Sequence, residues 1–476
     1  VLFLRRLLPD AGRVMIAAAC RQRLPKPWVS SLNTCSRAIS SSSFQDKETK
    51  QQVEQRDDLQ TEISRRTQTL KSFLTSTRRS LHQIPELMYQ ENKTSRYIQG
   101  MLQEHDIPYS TGWGVNKNTH VFPGEGGHGI VADIGSGQPP CVLLRADIDA
   151  LPIHEQPHTH NKNFASKHDG KMHACGHDGH ATMLIGAALI LKQMESQIKQ
   201  HGTVRLMFQP AEEGGAGAKR MIEEGVLTNK PPVDVAFGMH LWPTLPSHTI
   251  ASRPGALMAA GDRFTIEISG IGGHAAMPHK AIDPIVTASS IIMNLQTLVS
   301  RTISPFESAV CSISAINGGA AFNIIPEKVT LKGTIRAFQE TTLLSLKEKL
   351  NRIVTNTATS HGCSVDNIIY SPDHYPPLIN DTDLYRTFSS NVGALLSKER
   401  CVRQLEYPSM ASEDFSFIGQ HVPSTFFFLG QGSSDSFKSD YGLHHPKFTL
   451  DEDVLPLGVE LHANLALRAL KKLTKQ

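Results

Sequence analysis

Apolar residues along this chain recur in two rhythms, and the two alternate. Short unbroken apolar runs at 129–135, 141–144, 203–208 and 234–239 predict strands. Between them, Ala181, Leu184, Ile185, Ala188 and Leu191 fall three or four residues apart and predict a helix over 179–197, with a second at 216–227. A first helix is expected near 65–83. Strands alternating with helices imply a mixed, largely parallel sheet covered by helices, an α/β fold.

A different order follows between 256 and 370. A strand at 264–268 leads into a helix at 283–300, with Ile285, Ala288, Ile292, Leu295 and Val299 in register. Strands at 308–316 and 328–337 come next. A helix at 341–360, marked by Leu343, Leu346, Leu350, Ile353 and Val354, precedes a last strand at 364–370. The order βαββαβ reads as a ferredoxin-like unit. Its position predicts an insertion into the larger domain, which would span 66–255 and 371–476 and end in a helix at 455–473.

Composition changes this picture mainly at the start. Residues 1–45 carry seven Lys or Arg and one acid, Asp10, and finish in the serine tract 40–43. Arg-rich, acid-poor and Ser-rich segments of this kind are transit peptides, and a mitochondrial destination is expected, with plastid or cytoplasm as alternatives. Residues 46–65 are polar and charged and are expected as a linker. Of 48 Lys and Arg and 45 Asp and Glu, 41 and 44 remain beyond residue 45, so the body has no basic excess and no nucleic-acid partner is expected. No stretch approaches the roughly 20 apolar residues that span a bilayer, so no membrane partner is expected. Seven scattered cysteines without a CxxC pair suggest free thiols in a reducing compartment.

Candidate chemistry is concentrated in four places. M-H-A-C-G-H-D-G-H (172–180) puts Cys175 and His177 two residues apart in a loop before a helix. A thiolate and a neutral imidazole suit a metal such as zinc or manganese, although this segment alone is also compatible with a structural cluster or a Cys–His nucleophilic pair. Q-P-A-E-E-G-G (209–215) leaves a strand with Glu212 and Glu213 adjacent; side chains in that position diverge, so one can ligate while the other acts as base. G-M-H-L-W (238–242) supplies His240, and G-L-H-H-P (442–446) supplies His444. Cys175, His177, the two glutamates and His240 all follow successive strands, where an open parallel sheet binds its ligands. Asp147 and Asp149, in R-A-D-I-D-A-L-P-I, either orient such a site or cap the next turn. For His173 and His180 a structural role is favoured.

The motifs R-R-S-L-H-Q-I-P-E-L (78–87), R-A-D-I-D-A-L-P-I (145–153), M-H-A-C-G-H-D-G-H, Q-P-A-E-E-G-G, G-G-H-A-A-M-P-H (272–279) and H-H-P-K-F (444–448) resemble the hippurate hydrolase and auxin-conjugate hydrolase group of the aminoacylase–carboxypeptidase metallohydrolases. The resemblance runs from about residue 66 onward. It implies two divalent ions, Mn2+ or Zn2+, on Cys175, His177, Glu213, His240 and His444, with Glu212 as general base. It further implies that 256–370 is a lid and a dimerisation surface, giving a homodimer in many relatives. His274 would support the oxyanion, sometimes from the neighbouring subunit, and Asn323 and Arg336 would grip a substrate carboxylate; His279 could merely shape a turn. The activity implied is amide hydrolysis of small N-acyl-amino acids by a metal-activated water. The alternatives are a deacetylase or dipeptidase of the same fold, a binding protein without activity, and a thiol hydrolase using Cys175.

Overall fold

The computed structural model describes residues 46–157, 160–395, 403–433, 437 and 441–475. The expected transit peptide, residues 1–45, lies outside the described residues. The expected linker does not: residues 46–65 belong to a helix, α1 (Asp46–Thr69), followed by α2 (Lys71–His82). Leu59, Ile63 and Thr67, four residues apart, are buried as one stripe, and Gln60 and Ser64 bond Glu460 at 3.0 and 2.9 Å. A stripe one residue wide in so polar a segment has little hydrophobic periodicity, which is why the sequence reads as a linker.

The main sheet has eight strands: β1 (Tyr109–Val115), β2 (Gly126–Gly135), β3 (Cys141–Asp147), β4 (Thr203–Gln209), β5 (Val235–Trp242), β6 (Ile250–Ser252), β15 (Arg403–Gln404) and β16 (Ser424–Gly430). Their spatial order is β1-β2-β4-β3-β5-β16-β6-β15. The four central strands, β4, β3, β5 and β16, run parallel, while β2 and β6 flank them antiparallel. Every residue of β3, β4 and β16 is buried, as expected of parallel strands covered on both faces. One face is covered by α2, α3 (Asn92–Glu104), α4 (His177–Gln193) and α11 (Leu455–Leu473), which share a core with Leu144, Leu206, Phe237 and Phe427. The other face packs Phe415, Ile418, Phe426 and Phe428 beneath α6 (Gly217–Glu223) and α10 (Ser416–Gly419).

The inserted unit has the expected βαββαβ order: β8 (Ala260–Ser269), α7 (Pro284–Thr302), β10 (Ala309–Gly318), β12 (Lys328–Ala337), α8 (Glu340–Ser360) and β13 (Ser364–Tyr370). Its sheet order, β10-β12-β8-β13, is antiparallel throughout, and α7 and α8 cover one face. Alternation assigns Phe264, Ile266, Ile335 and Ala337 to that helix-covered core. The opposite face carries Gly261, Arg263, Thr334 and Arg336. A small ribbon of β7 (Gly255–Met258) and β14 (Leu378–Asn380) lies where the chain enters and leaves the insertion. A second ribbon, β9 (Gly273–His274) with β11 (Ile324–Ile325), projects from it beside the fully exposed Phe322.

The inserted core is small and its interior residues are 0–6% exposed, so it has little room to absorb a deletion. Leu350→Ala should destabilise the protein by about 2–5 kcal/mol in urea unfolding. A loss below about 1 kcal/mol would mean that α8 collapses onto the gap rather than leaving a cavity.

Candidate metal centre and active site

The parallel strands deliver their C-terminal ends to one cleft. Asp147 ends β3, His240 lies near the end of β5, and the turn carrying Glu212 and Glu213 follows β4. Cys175 sits just before α4, whose first residue is His177. Gly176 between them has φ +91, a left-handed conformation that suits glycine and turns both ligand side chains into the cleft. Ala211 and His444 adopt φ near 60 without being glycine, and hydrogen bonds hold both. The Ala211 amide donates to Glu91 at 2.9 Å, and the His444 amide donates to the Ala174 carbonyl at 2.8 Å.

Asp149 joins the two motifs. Its carboxylate accepts the amides of Glu212 and Glu213 at 3.0 and 2.9 Å, and its backbone carbonyl accepts from His177 Nδ1 at 2.9 Å. The His177 proton is thereby placed on Nδ1, and Nε2 faces the cleft. That atom is buried with no hydrogen-bond partner; it lies 3.6 Å from Asp147 and 4.0 Å from Glu213. Burial alone would lower this imidazole, but Asp147, Asp149 and Glu213 outweigh it and push its pKa up to about 10. The cluster therefore favours positive charge at that atom.

His240 is fixed in the same way. Its Nδ1 donates to the Leu241 carbonyl at 2.7 Å, so the Nε2 lone pair faces Cys175 Sγ at 3.4 Å. Burial, then the carboxylates of Glu213 and Glu212, push the Cys175 thiol well above its ordinary range. A free thiolate is disfavoured there unless a cation compensates it, which weakens the nucleophilic-thiol alternative. His444 Nε2 lies 3.1 Å from Glu213.

All five expected ligands thus converge. Cys175, His177 and His240 offer donor atoms within 4.8 Å of one another, and so do Cys175, Glu213 and His444. The two trios share Cys175, so these five residues would hold two divalent ions between them. The surrounding charge fits as well: Asp147, Asp149, Glu212, Glu213, Glu413 and Asp414 crowd the cleft. Arg145 is the buried cation among them. Its guanidinium bonds Asp147 and Asp414 at 2.7 Å each, Glu413 at 2.9 Å and Gln209 at 2.7 Å.

Glu212 is buried beside the ligand trios, and burial followed by Glu413 and Glu213 pushes its carboxyl well above the usual range. Tyr375 locks the turn beyond it, donating to the Glu212 carbonyl at 2.5 Å and accepting the amides of Gly214 and Ala216. His180 donates to Asp147 at 2.6 Å and accepts the Leu241 amide at 2.9 Å, so both nitrogens are used and its role is structural. His173 is buried beside His82, with both ring nitrogens lacking a hydrogen-bond partner.

A cavity of about 670 Å³ opens over these groups. Its floor includes Trp242, Met258, Met410 and Leu443, and its roof is the helix-free face of the inserted sheet, with Arg336, Val310 and Ser312. Arg336 is therefore at the cavity, as expected. His274 and Asn323 are not: both are exposed on the β9–β11 ribbon, where the Asn323 carbonyl accepts the Ala275 amide. His279 sits in an exposed turn after that ribbon. Reasoning from the motifs missed Arg145, Glu91, Tyr375, Arg263 and the Glu413–Asp414 pair. For Arg145 a signal was present, because it precedes Asp147 by two residues on the same strand face.

Because Asp149 positions both His177 and the Glu212–Glu213 turn, Asp149→Ala should weaken divalent-metal binding roughly 10–100-fold while leaving a cooperative unfolding transition. Metal affinity within threefold of the parent would reduce Asp149 to a turn cap.

Similarity to known proteins accords with this geometry. The chain is 42% identical over 403 residues to IAA-amino acid hydrolase ILR1-like 2 of Arabidopsis thaliana, covering 84% of this chain and 86% of that protein. It is 38% identical over 388 residues to N-acetyl-L-cysteine deacetylase of Bacillus subtilis, covering 81% and 86%. Among solved structures, the Bacillus subtilis YXEP protein, described as a dinuclear metal binding peptidase, superposes with a TM-score of 0.66 at 34% identity, over 85% of this chain and 99% of that one. Residues 143–468, which include every strand end and loop of the cleft, match peptidase family M20/M25/M40. The chain belongs to that family, and with it to the hydrolases of amide bonds.

Proposed function

We propose that this protein hydrolyses the amide bond of small N-acyl-amino acids, with Glu212 as general base beside two divalent ions, Mn2+ or Zn2+, held by Cys175, His177, Glu213, His240 and His444. The observation that carries the reading is the pair of donor trios sharing Cys175, with Glu212 next to them and a cavity above. The names of the two relatives support the substrate class, since an auxin–amino acid conjugate and N-acetylcysteine are both N-acyl-amino acids. The solved relative described as dinuclear supports the metal count.

When bound, the ions supply Lewis acidity, which polarises the amide carbonyl and makes water a nucleophile at neutral pH. Glu212 takes the proton of the attacking water and returns it to the departing nitrogen, which must leave as an amine. Arg336 faces the cavity from the roof, and its fork can grip the α-carboxylate in two parallel hydrogen bonds. His274 and Asn323 can serve the reaction only by reaching a cavity other than the one roofed by their own sheet. A homodimer through the inserted unit would bring them to a partner's cleft. The exposed Phe322, Ile324, Ile316 and Met293 on that unit support such an assembly.

The test combines elemental analysis with hydrolysis of an N-acyl-amino acid panel before and after chelation. About two metal ions per chain, and activity that chelator removes and Mn2+ or Zn2+ restores, are expected. Activity indifferent to chelator would overturn the proposal in favour of a thiol hydrolase. Glu212→Gln should lower kcat by about 10²–10⁴-fold with the metal content unchanged. Turnover at the parent rate would remove Glu212 from the role of base.

A further inference from the structure

The roof of the cavity carries two guanidinium groups where one α-carboxylate needs one. In the inserted sheet Arg263 stands opposite Thr334, and Gly261 stands opposite Arg336. The two arginines are therefore diagonal neighbours on adjacent strands, on the face away from α7 and α8, within mutual reach of long side chains. Both line the cavity. Like charges so placed repel, and burial together with Arg263 lowers the Arg336 pKa from its ordinary value.

Arg336 Nη1 donates to the Met410 carbonyl at 2.9 Å and to Ser412 Oγ at 3.2 Å, and Arg263 Nη2 donates to the Gly214 carbonyl at 3.2 Å. Among the described residues no carboxylate forms an ion pair with either. Arg78, Arg145, Arg205 and Arg220, by contrast, each pair with an acid. The acids nearest the roof are engaged elsewhere: Asp262 with Lys347 at 2.7 Å, Asp373 with Lys219 and Arg220, and Glu413 with Arg145.

Space has been left for this arrangement. A Cβ at Gly214 would come within 2.3 Å of Arg263 Nη2, and one at Gly261 within 2.2 Å of Ser412 Oγ, the partner of Arg336. Bare backbone at both positions leaves room for Arg263 beside Gly214 and for Arg336 beside Met410 and Ser412.

We propose that Arg263 and Arg336 form a two-point anion clamp that selects N-acyl derivatives of acidic amino acids, Arg336 holding the α-carboxylate and Arg263 the side-chain carboxylate of an aspartyl or glutamyl residue. The proposal rests on the reading of the chain as an N-acyl-amino acid hydrolase with Arg336 at the α-carboxylate. A substrate with one carboxylate engages the half-buried Arg336 and leaves the exposed Arg263 to solvent, whereas a dicarboxylate engages both with charge-assisted, bidentate bonds. An amide in place of the second carboxylate keeps the shape and loses the charge, so the acid and its amide form the discriminating pair.

The experiment measures kcat/KM of the metal-loaded enzyme on N-acetyl-aspartate against N-acetyl-asparagine, and on N-acetyl-glutamate against N-acetyl-glutamine. At least one acid should be preferred over its amide by about tenfold or more. In Arg263→Ala that ratio should fall to within about threefold of unity, and Arg263→Lys, which keeps the charge but not the fork, should restore part of it. A parent ratio near one, or a ratio unmoved in Arg263→Ala, overturns the clamp. Calorimetric binding of the same four compounds to metal-loaded Glu212→Gln separates this idea from the hydrolase reading. Acid-over-amide binding without turnover by the parent would uphold the clamp and sink the hydrolase, while equal binding of acid and amide would sink the clamp even if the parent is active.

Discussion

The cleft depends on one buried cation. Arg145 is about 1% exposed and spends its guanidinium on Asp147, Glu413, Asp414 and Gln209, drawn from β3, the end of β4 and the segment before α10. Without that charge three carboxylates would face one another in a low-dielectric interior, an arrangement that proteins avoid by protonation or unfolding. With it, Asp147 is free to orient His180 and to stand beside His177, and Asp414 can accept the Ala218 amide that starts α6. Arg145 pairs with three of the six acids; Asp149, Glu212 and Glu213 stand beside His177 and the donor trios.

The architecture follows from where strands end. Four parallel strands bring Asp147, Gln209, His240 and Gly430 to the same edge, and the loops beyond them supply the rest. The inserted sheet contributes nothing to the main core. It offers a polar face with two arginines, turned toward the ligands. Division of labour is therefore physical: the main sheet accumulates negative charge, and the insertion supplies the positive charge that a substrate must satisfy.

Much of this was legible in the sequence. The inserted unit was, because its helices carry wide apolar stripes and its strands alternate; β12 and β13 run over the residues expected. The strand β16 was not, although it sits centrally beside β5, because the run at 424–430 lies far from the other strands of its sheet and pairs with residues near 236–242. The strand β1 was hidden by its exposed, glycine-containing sequence and its irregular pairing with β2. At the site, Cys175, His177, Glu213 and His240 converge because they sit near strand ends or a helix start, which pattern can locate, whereas His444 lies in a loop marked only by its motif. The Asp149 bridge, the Tyr375 clamp and Arg145 depend on side-chain reach across motifs, which pattern does not encode. His274 and Asn323 lie on or beside a projecting ribbon away from the cavity, a placement that their motifs do not encode.

The late position of β16 also sets the order in which this protein can become itself during synthesis. The inserted unit, contiguous from 260 to 370, has all the residues of its own core once residue 370 has left the ribosome. The main sheet waits, because β5 lacks its partner on one side until residues 424–430 arrive, and α4 lacks the packing of α11 until the helix at 455–473 is made. Glu413, Asp414 and His444 belong to the same late stretch. A nascent chain thus carries Cys175, His177 and Glu213 with Asp147 beside Arg145 but without Glu413, Asp414 and His444, and the cleft is complete only once residue 444 has been made.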